Sequence, residues 1–219
     1  TTAYPLHTYT DEQPWGLVTL GNDEPDKAQA LFENLLTASP VPYDAIAFDG
    51  LTEHSFNEAK RQENLFERRY KTKEAAEGAT LKRWGETLAS NINTAQTLVM
   101  LSNRGVSIWM TAAAERGTDP NLPEGLEARP LCSGGIRHLI GRYFDLTIFV
   151  ETKVKNGKPT HVYHMVKNGA WKVKNRYEEE WLEDPKTFAT ELVNPTTEKL
   201  LELIHEAAVR RARKFGLEV

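Results

Sequence analysis

The stretch that decides the fold class is Tyr43-Asp44-Ala45-Ile46-Ala47-Phe48-Asp49-Gly50, a short apolar run that ends in a carboxylate. Nearly every residue between Ala45 and Phe48 is apolar, as expected for a central parallel strand that is covered on both faces. A carboxylate at the end of such a strand lies at the carboxyl edge of the sheet, where open α/β sheets bind their ligands. The stretch therefore predicts a parallel α/β sheet with Asp49 in its ligand crevice. A simpler alternative is that Asp49 only caps the turn that follows.

Hydrophobic periodicity around this strand predicts an alternation of strands and helices. A short strand is predicted over residues 15–20, and a helix that starts at Pro25 follows it. Residues 50–78 are polar and charged. The next long helix has its apolar stripe at threefold and fourfold spacing, and another buried strand covers residues 106–111. The stripe consists of Leu81, Trp84, Leu88, Ile92, Ala95 and Leu98.

The last third of the chain has a different pattern, with short alternating segments separated by turns. Residues 146–150 and 161–166 flank Asn156-Gly157, which is a strong hairpin signal. A final helix is predicted from Asn194-Pro195 to near Gly216. These patterns predict antiparallel strands appended to the parallel sheet. We divide the chain into a core at 1–180 and a helical extension at 181–219.

Composition is that of a soluble globular protein. The chain has 219 residues, of which 40% are hydrophobic and 26% are charged. No apolar run approaches the roughly 20 residues that span a bilayer, so we expect no membrane partner. Cys132 is the only cysteine, which excludes an internal disulfide and fits a cytoplasmic location.

Charge is unevenly distributed along the chain. The net charge is -4, which argues against a surface that is basic all over. The segment from Lys60 to Arg83 nevertheless carries eight Lys or Arg against four Glu, and residues 210–214 are basic as well. Such patches could hold nucleic acid. Basic residues in a last helical turn also simply complement the helix dipole.

A second segment, Lys174-Asn175-Arg176-Tyr177, ends the alternating strand pattern with two cations. It resembles the KNRFG element of RadA-type ATPases, with Tyr177 in place of Phe and Glu178 in place of Gly. The run that ends at Asp49 resembles a Walker B strand. In the order of its elements up to about Tyr177, the chain is most similar to phage RecA-like recombinases that assist single-strand annealing. The resemblance implies a RecA-like fold: a mainly parallel sheet flanked by helices, with a C-terminal antiparallel meander.

The phosphate-binding loop of that family is not in the sequence. The only Gly-Lys pair is Gly157-Lys158, inside the predicted hairpin turn. The opening residues Thr1 to Pro5 resemble those that follow the P-loop lysine in phage RecA-like proteins. We therefore expect the chain to start just downstream of a P-loop, so that the first strand and the P-loop are missing. The alternative is a complete but degenerate domain.

The resemblance implies a role for each of several residues. Asp49 would hold Mg²⁺ through water and so take part in binding ATP. Glu24 would position the attacking water, although Asp23 is equally well placed and either could instead cap the next helix. Thr111, after the predicted strand 106–111, would sense the γ-phosphate, although Thr also simply favours strands.

Lys174 and Arg176 would stabilise charge on the nucleotide of a neighbouring subunit. The active unit would then be a homo-oligomer, as a ring or a filament. A solvent-facing strand edge also favours such cations.

Two segments are candidates for contact with single-stranded DNA. The first is a predicted loop, Lys60 to Lys73, in which an aromatic ring lies among cations, an arrangement that suits stacking on bases. A solvated charged helix is the alternative there. The second is a predicted Gly- and Pro-rich loop, Glu115 to Gly135, which corresponds by order to the mobile DNA loop of the family. The candidate residues are Arg61, Arg68, Arg69, Tyr70, Lys71, Arg116 and Arg129.

The sequence thus predicts an ATP-dependent, single-stranded-DNA-binding ATPase of a phage recombination or annealing pathway, with ATP and Mg²⁺ as cofactors. One alternative is a non-catalytic RecA-fold protein that serves assembly. Another is a different P-loop motor that acts on duplex DNA. His161 and His164 are three residues apart on a predicted strand and point to opposite faces, so we predict no zinc site.

Overall fold

The computed structural model of the chain describes residues 25–117, 127–155, 157–167 and 173–217. Over these residues the protein is a mixed α/β protein with small sheets. It divides into two compact units. Unit 1 runs to Ala113 and includes Cys132–Ile136, whereas unit 2 comprises Ala114–Leu131 and Arg137–Val219. The strand predicted over residues 15–20 and the candidate Glu24 lie outside the described residues.

Unit 1 places helices around a pair of parallel strands. Strand β1 pairs in parallel with β2, so that Ala45 lies opposite Ser107 and Phe48 opposite Met110. The elements are α1 (Pro25–Thr37), β1 (Ala45–Phe48), α2 (Leu51–Arg69), α3 (Lys73–Gly78), α4 (Thr80–Ser102) and β2 (Ser107–Met110). The predicted helix at Pro25, the strand before Asp49, the long helix after Gly78 and the strand near 106–111 are all present.

The core of unit 1 is formed by α1, α4 and the two strands. Phe32 is buried with Leu98 and Leu101, and the half-buried Phe48 packs against this cluster. The rings of Phe32 and Phe48 meet edge to face at 5.5 Å, an arrangement that aromatic pairs prefer.

The prediction that β1 is covered on both faces is wrong. Ala45 and Ala47 are exposed, whereas Ile46 and Phe48 are half-buried. An alternating pattern of this kind belongs to a strand that packs on one face only. Because the outward residues are alanines, the sequence showed no polar alternation that would have revealed the exposed face.

The N-terminal half of α4 also differs from the prediction. Leu81 and Trp84 of the apolar stripe are 88% and 41% exposed, whereas Thr87, Asn91 and Thr94 are buried. These polar side chains bond to the helix itself: Asn91 Nδ2 donates to the Thr87 carbonyl at 2.9 Å, for example. Burial of a polar group is tolerable when it is hydrogen-bonded in this way.

Unit 2 contains short antiparallel sheets and two helices that pack together. Strands β6, β7 and β9 form one sheet, β5 pairs with β8, and β3 pairs with β4. The elements are β3 (Ala114–Gly117), β4 (Glu127–Pro130), α5 (Ile136–Leu139), a 3-10 turn (Ile140–Tyr143), β5 (Leu146–Thr147), β6 (Phe149–Lys155), β7 (Lys158–His164), β8 (Lys174–Asn175), α6 (Glu178–Glu183), β9 (Glu191–Val193) and α7 (Thr197–Lys214).

The predicted antiparallel strands and the hairpin at Gly157 are present, and Gly157 has the positive φ of 73° that the turn requires. Strand β9 was not predicted, and it pairs with β7. The division of the chain at residue 180 therefore cuts across a sheet of unit 2, and it stays a prediction.

Part of the predicted loop from Glu115 to Gly135 forms an antiparallel pair of strands. Ala114 lies opposite Pro130, and Glu115 lies opposite Arg129. Residues 118–126, between these strands, lie outside the described residues. The sequence signal was Gly and Pro content, which marks turns well but does not reveal a strand only four residues long.

Two further features are the burial of the single cysteine and the character of the helices. Cys132 is buried in unit 1, at 2% exposure. Within the described residues, no helix combines the length and the apolar character that crossing a bilayer requires.

Candidate functional site

Asp49 and Thr111 meet at the carboxyl ends of the two parallel strands of unit 1. The Thr111 hydroxyl donates a hydrogen bond to Oδ1 of Asp49. The same hydroxyl oxygen accepts from the backbone N–H of Gly50 at 3.1 Å. Asp49 and Thr111, which are 62 positions apart in the chain, are thus joined by a side-chain hydrogen bond, and Thr111 also binds the backbone of the adjacent Gly50. The structure brings together the predicted metal-holding carboxylate and the predicted sensor.

The backbone on either side fixes this contact. The strand ladder continues with the Thr111 N–H, which donates to the Phe48 carbonyl at 3.1 Å. Next, the Leu51 N–H donates to the Thr111 carbonyl at 3.0 Å. The Ala113 N–H then donates to the Thr52 hydroxyl at 2.9 Å. Each strand end is therefore held against the start of α2.

Gly50 makes the sharp entry into α2 possible. Its φ of 103° lies in a region that side chains disfavour, and a Cβ there would come within 3.0 Å of Glu53 Oε2. Because α2 begins at Leu51, the helix starts directly after the carboxylate. The glycine thus allows Asp49 to remain at the sheet edge while the chain turns into the helix.

The side-chain oxygens of this site are exposed to solvent and are of the kind that binds hard metal ions. Asp49 and Thr111 are both exposed, and the Asp49 carboxylate accepts the hydrogen bond of the hydroxyl. Mg²⁺ prefers oxygen ligands and is commonly bound by one or two carboxylates together with substrate phosphates. The residues present fit that role. Within the described ranges, no group of three or more His, Cys, Asp or Glu is arranged to hold a metal by itself.

A buried histidine lies directly beneath the strand end. The ring of His54 meets the ring of Phe48 at 5.3 Å and is 9% exposed. Burial lowers the pKa of His54 from its ordinary value of 6.5, and this effect outweighs the nearby Glu58 carboxylate, which acts to raise it. The imidazole is therefore held neutral.

Arg61, a predicted DNA contact, is bound within unit 1. Its Nε and Nη2 donate to the two oxygens of buried Glu58, each at 2.8 Å. Burial acts to raise the pKa of Glu58, but hydrogen bonds from Arg61, Gln62 and Ser90 lower it further than burial raises it. A bidentate pair of this kind is strong and directional. Most of the guanidinium fork is thus occupied by a structural partner.

The remaining candidates of the first DNA segment lie at the end of α2. The segment Lys60 to Lys73 was predicted as a loop, but α2 continues to Arg69. Arg69 lies 5.3 Å above the ring of Phe66, and Tyr70 packs at 5.6 Å from the same ring. Arg68 and Lys71 are exposed and form no ion pair with any residue described. Two cations of the predicted set therefore remain available to an anionic ligand.

In the second candidate DNA segment, Arg129 is paired with a carboxylate of the protein itself. Arg129 Nε donates to Glu115 Oε1 at 2.9 Å, and Arg137 Nη1 reaches the same oxygen at 3.2 Å. Burial acts to raise the pKa of Glu115, but the hydrogen bonds and charges of these two arginines lower it overall. Arg116 lies on β3, opposite Ala128.

Lys174 and Arg176 lie in unit 2, at the end of β8. The ammonium of Lys174 donates to the carbonyls of Phe144, at 2.6 Å, and Arg142, at 3.2 Å. Arg176 Nη2 pairs with Asp145 Oδ1 at 2.7 Å, and both side chains are 56% exposed. An exposed ion pair of this kind is weak and can be exchanged for a stronger partner.

The basic residues at the C-terminal end have partners within unit 2. Arg210 Nη1 pairs with Asp184 at 2.8 Å, which, with hydrogen bonds from Thr187, lowers the pKa of that carboxyl to about 2. Lys214 Nζ pairs with Glu183 at 2.6 Å. These contacts join α7 to α6 and its following residue, so they favour a structural role for this basic segment over nucleic-acid binding.

Sequence reasoning missed the buried polar face of α2. His54 and Glu58 lie on that face, and Ser55 accepts from the Ser133 N–H at 3.0 Å. The spacing of the buried positions (Leu51, Thr52, His54, Ser55, Glu58, Gln62 and Phe66) is that of a helix face. Because most of these residues are polar, a search for apolar periodicity does not detect them.

Comparisons of the chain with protein-family models, with curated proteins and with solved structures gave no match.

Proposed function

We propose that the protein is a RecA-like ATPase that binds single-stranded DNA in an ATP-dependent manner, as a phage recombination or annealing protein. The observation that carries this proposal is the contact between Asp49 and Thr111 at the carboxyl ends of parallel strands. Ligands of open α/β sheets bind at this edge. A carboxylate and a polar side chain on neighbouring strands are also what the resemblance to RecA-type proteins requires.

In this proposal Asp49 would hold the Mg²⁺ of the nucleotide through water, and the metal, when bound, would supply positive charge that stabilises the phosphates. Thr111 orients the Asp49 carboxylate and connects it to Gly50, so that a change at the metal reaches the start of α2. Glu24 is assigned the positioning of the attacking water.

Lys174 and Arg176 act on the nucleotide of a neighbouring copy, so the active form is a homo-oligomer. Arg176 would exchange its exposed pair with Asp145 for a phosphate.

The test is ATP hydrolysis by the full-length protein with and without single-stranded DNA, for the parent and for Asp49→Asn. We expect turnover that the single strand stimulates, and its loss in Asp49→Asn with unchanged circular dichroism. Asp44→Asn is the matched control, because Asp44 is also an exposed carboxylate beside β1. Unchanged turnover in Asp49→Asn would show that the carboxylate is not part of an ATPase site.

A second candidate is a non-catalytic protein that uses the same fold for assembly. The neutralisation of Arg61 and Arg129 by carboxylates favours it, because fewer cations remain for DNA. Absence of turnover under both conditions would make this candidate the better one. A motor that acts on duplex DNA would instead be stimulated more by double strands than by single strands.

A further inference from the structure

A cavity in unit 2 is lined by an unusual number of cationic side chains. Its volume is about 380 Å³, within the range of small-molecule sites. Of the nine described residues that line it, five can carry positive charge and none is Asp or Glu; the five are Arg137, His138, Arg142, Lys167 and Lys174. Of these five residues, only Lys174 was predicted from the sequence as a site residue.

Two of these cations have no carboxylate partner. The side chains of Arg142 and Lys167 are exposed and form no ion pair with any residue in the described part of the chain. Like charges that share one cavity repel each other, and a cavity wall of low dielectric strengthens the field that they create. An anion that enters the cavity would relieve this repulsion.

Two of the other cations, Lys174 and Arg137, are held in place by the protein. The Lys174 ammonium donates to two backbone carbonyls, of Phe144 and Arg142, which leaves one of its three protons for a ligand. Arg137 donates one Nη to Glu115, while its Nε is buried and has no hydrogen-bond partner among the described residues. Groups fixed before the ligand arrives lose less conformational entropy on binding.

The chemistry of the lining defines the ligand class. Arginine and lysine together favour phosphate, because the guanidinium fork binds its oxygens in pairs and the ammonium acts as a point charge. None of the described lining residues is Phe, Tyr or Trp, so this part of the wall offers no stacking surface for a base. We propose that this cavity is a phosphate-binding site, which takes the phosphate groups of a nucleotide or of a nucleic-acid backbone.

Lys174 belongs both to this cavity and to the proposed ATPase, but the cavity does not depend on Asp49, which lies in unit 1, and the variant below leaves Lys174 unchanged. The test is calorimetric titration of the full chain with sodium triphosphate at constant ionic strength. The variant is Arg142→Gln combined with Lys167→Gln. The control is Lys158→Gln combined with Lys186→Gln, which removes the same charge from exposed positions of unit 2 outside the cavity.

We expect saturable binding that weakens at least tenfold in the cavity variant and less than twofold in the control. Competition by ATP would identify a nucleotide as the source of the phosphate, and competition by oligo-dT would identify a nucleic-acid backbone. Equal weakening in both variants, no saturable binding, or displacement of triphosphate by neither competitor would overturn the proposal.

Discussion

At the scale of single residues, Thr111 has the most connected role in unit 1. Its side chain accepts one hydrogen bond and donates another, and its backbone N–H and carbonyl both bond to the segment from Phe48 to Leu51. The hydroxyl is therefore a structural connector irrespective of any nucleotide. Its two roles, in holding the strand ends and in orienting Asp49, can be separated by substitution.

Thr111→Val should lower the free energy of unfolding by about 1 kcal/mol, the typical net value of a hydrogen bond. Thr111→Ser should lower it less, because serine keeps the hydroxyl. Urea unfolding followed by circular dichroism measures both. Because valine keeps the methyl group, an unchanged free energy of unfolding in Thr111→Val would show that the hydroxyl does not stabilise the strand ends.

His54 makes stability depend on pH. Its pKa is lowered in the folded protein, chiefly by burial, so the folded state binds fewer protons than the unfolded state below about pH 6.5. The contribution of neutral His54 to the free energy of unfolding is fully present above about pH 6.5. It is lost as the pH falls through the lower pKa that His54 has in the folded protein.

We expect the melting temperature to fall between pH 7 and pH 5, and the fall to be smaller in His54→Phe, which keeps a ring against Phe48. His205→Gln is the control, because it removes an exposed imidazole from α7. A parent and a His54→Phe variant with parallel pH profiles would refute the assignment.

Prediction of single residues succeeded where the strand pattern alone determines the position of a side chain. A strand that ends at Phe48 and a second that ends at Met110 put Asp49 and Thr111 at one edge once the strands are parallel. The carboxylate partners of Arg61 and Arg129 were not predicted, and the role of the two arginines in DNA binding stays a prediction. Glu58 and Arg61 are three residues apart, so their pairing follows only once the segment is known to be a helix, whereas Glu115 and Arg129 meet across opposite strands.

At the scale of elements, α4 is the helix in which burial departs most from hydropathy. Leu98 is completely buried, whereas Leu81, on the same helix, is 88% exposed. Leu98→Ala should cost about 2–5 kcal/mol of unfolding free energy, as truncation in a packed core does. Leu81→Ala should change stability by less than about 0.5 kcal/mol.

Urea unfolding of the two leucine variants makes a matched comparison, because residue type, helix and substitution are the same. Comparable losses in both variants would mean that Leu81 is covered in solution, contrary to the structure.

Elements with a strong period or an apolar run were predictable, whereas short strands without an apolar run were not. Helix α7 shows its signals plainly: the Thr196 hydroxyl accepts from the Lys199 N–H at 3.2 Å, and the helix ends near Gly216. Strands β3, β4 and β9 have three or four residues each. Such strands are specified by their partners more than by their own sequence.

At the scale of the whole molecule, net charge and local charge act in opposite directions. A chain of net charge -4 repels a polyanion at long range, so any DNA binding must depend on a few exposed cations. Arg68 and Lys71 are such cations at the end of α2.

We expect the affinity for oligo-dT to fall as salt rises, with a logarithmic slope of about 0.7 for each phosphate neutralised. Arg68→Gln with Lys71→Gln should reduce that slope by about 1–2. Lys158→Gln with Lys186→Gln, an equal change in charge at exposed positions outside the basic segment, should leave it unchanged. Fluorescence anisotropy at several salt concentrations measures the slope, and equal slopes for parent and Arg68/Lys71 variant would exclude this patch.

The buried thiol of unit 1 has a practical consequence. Cys132 is the only cysteine in the sequence and is almost inaccessible to solvent. A thiol-reactive reagent can modify it only when the surrounding structure opens, so the labelling rate measures how often that local unfolding occurs. The effect of any substitution in unit 1 on local unfolding could then be measured on the native protein, without denaturant and without an introduced probe.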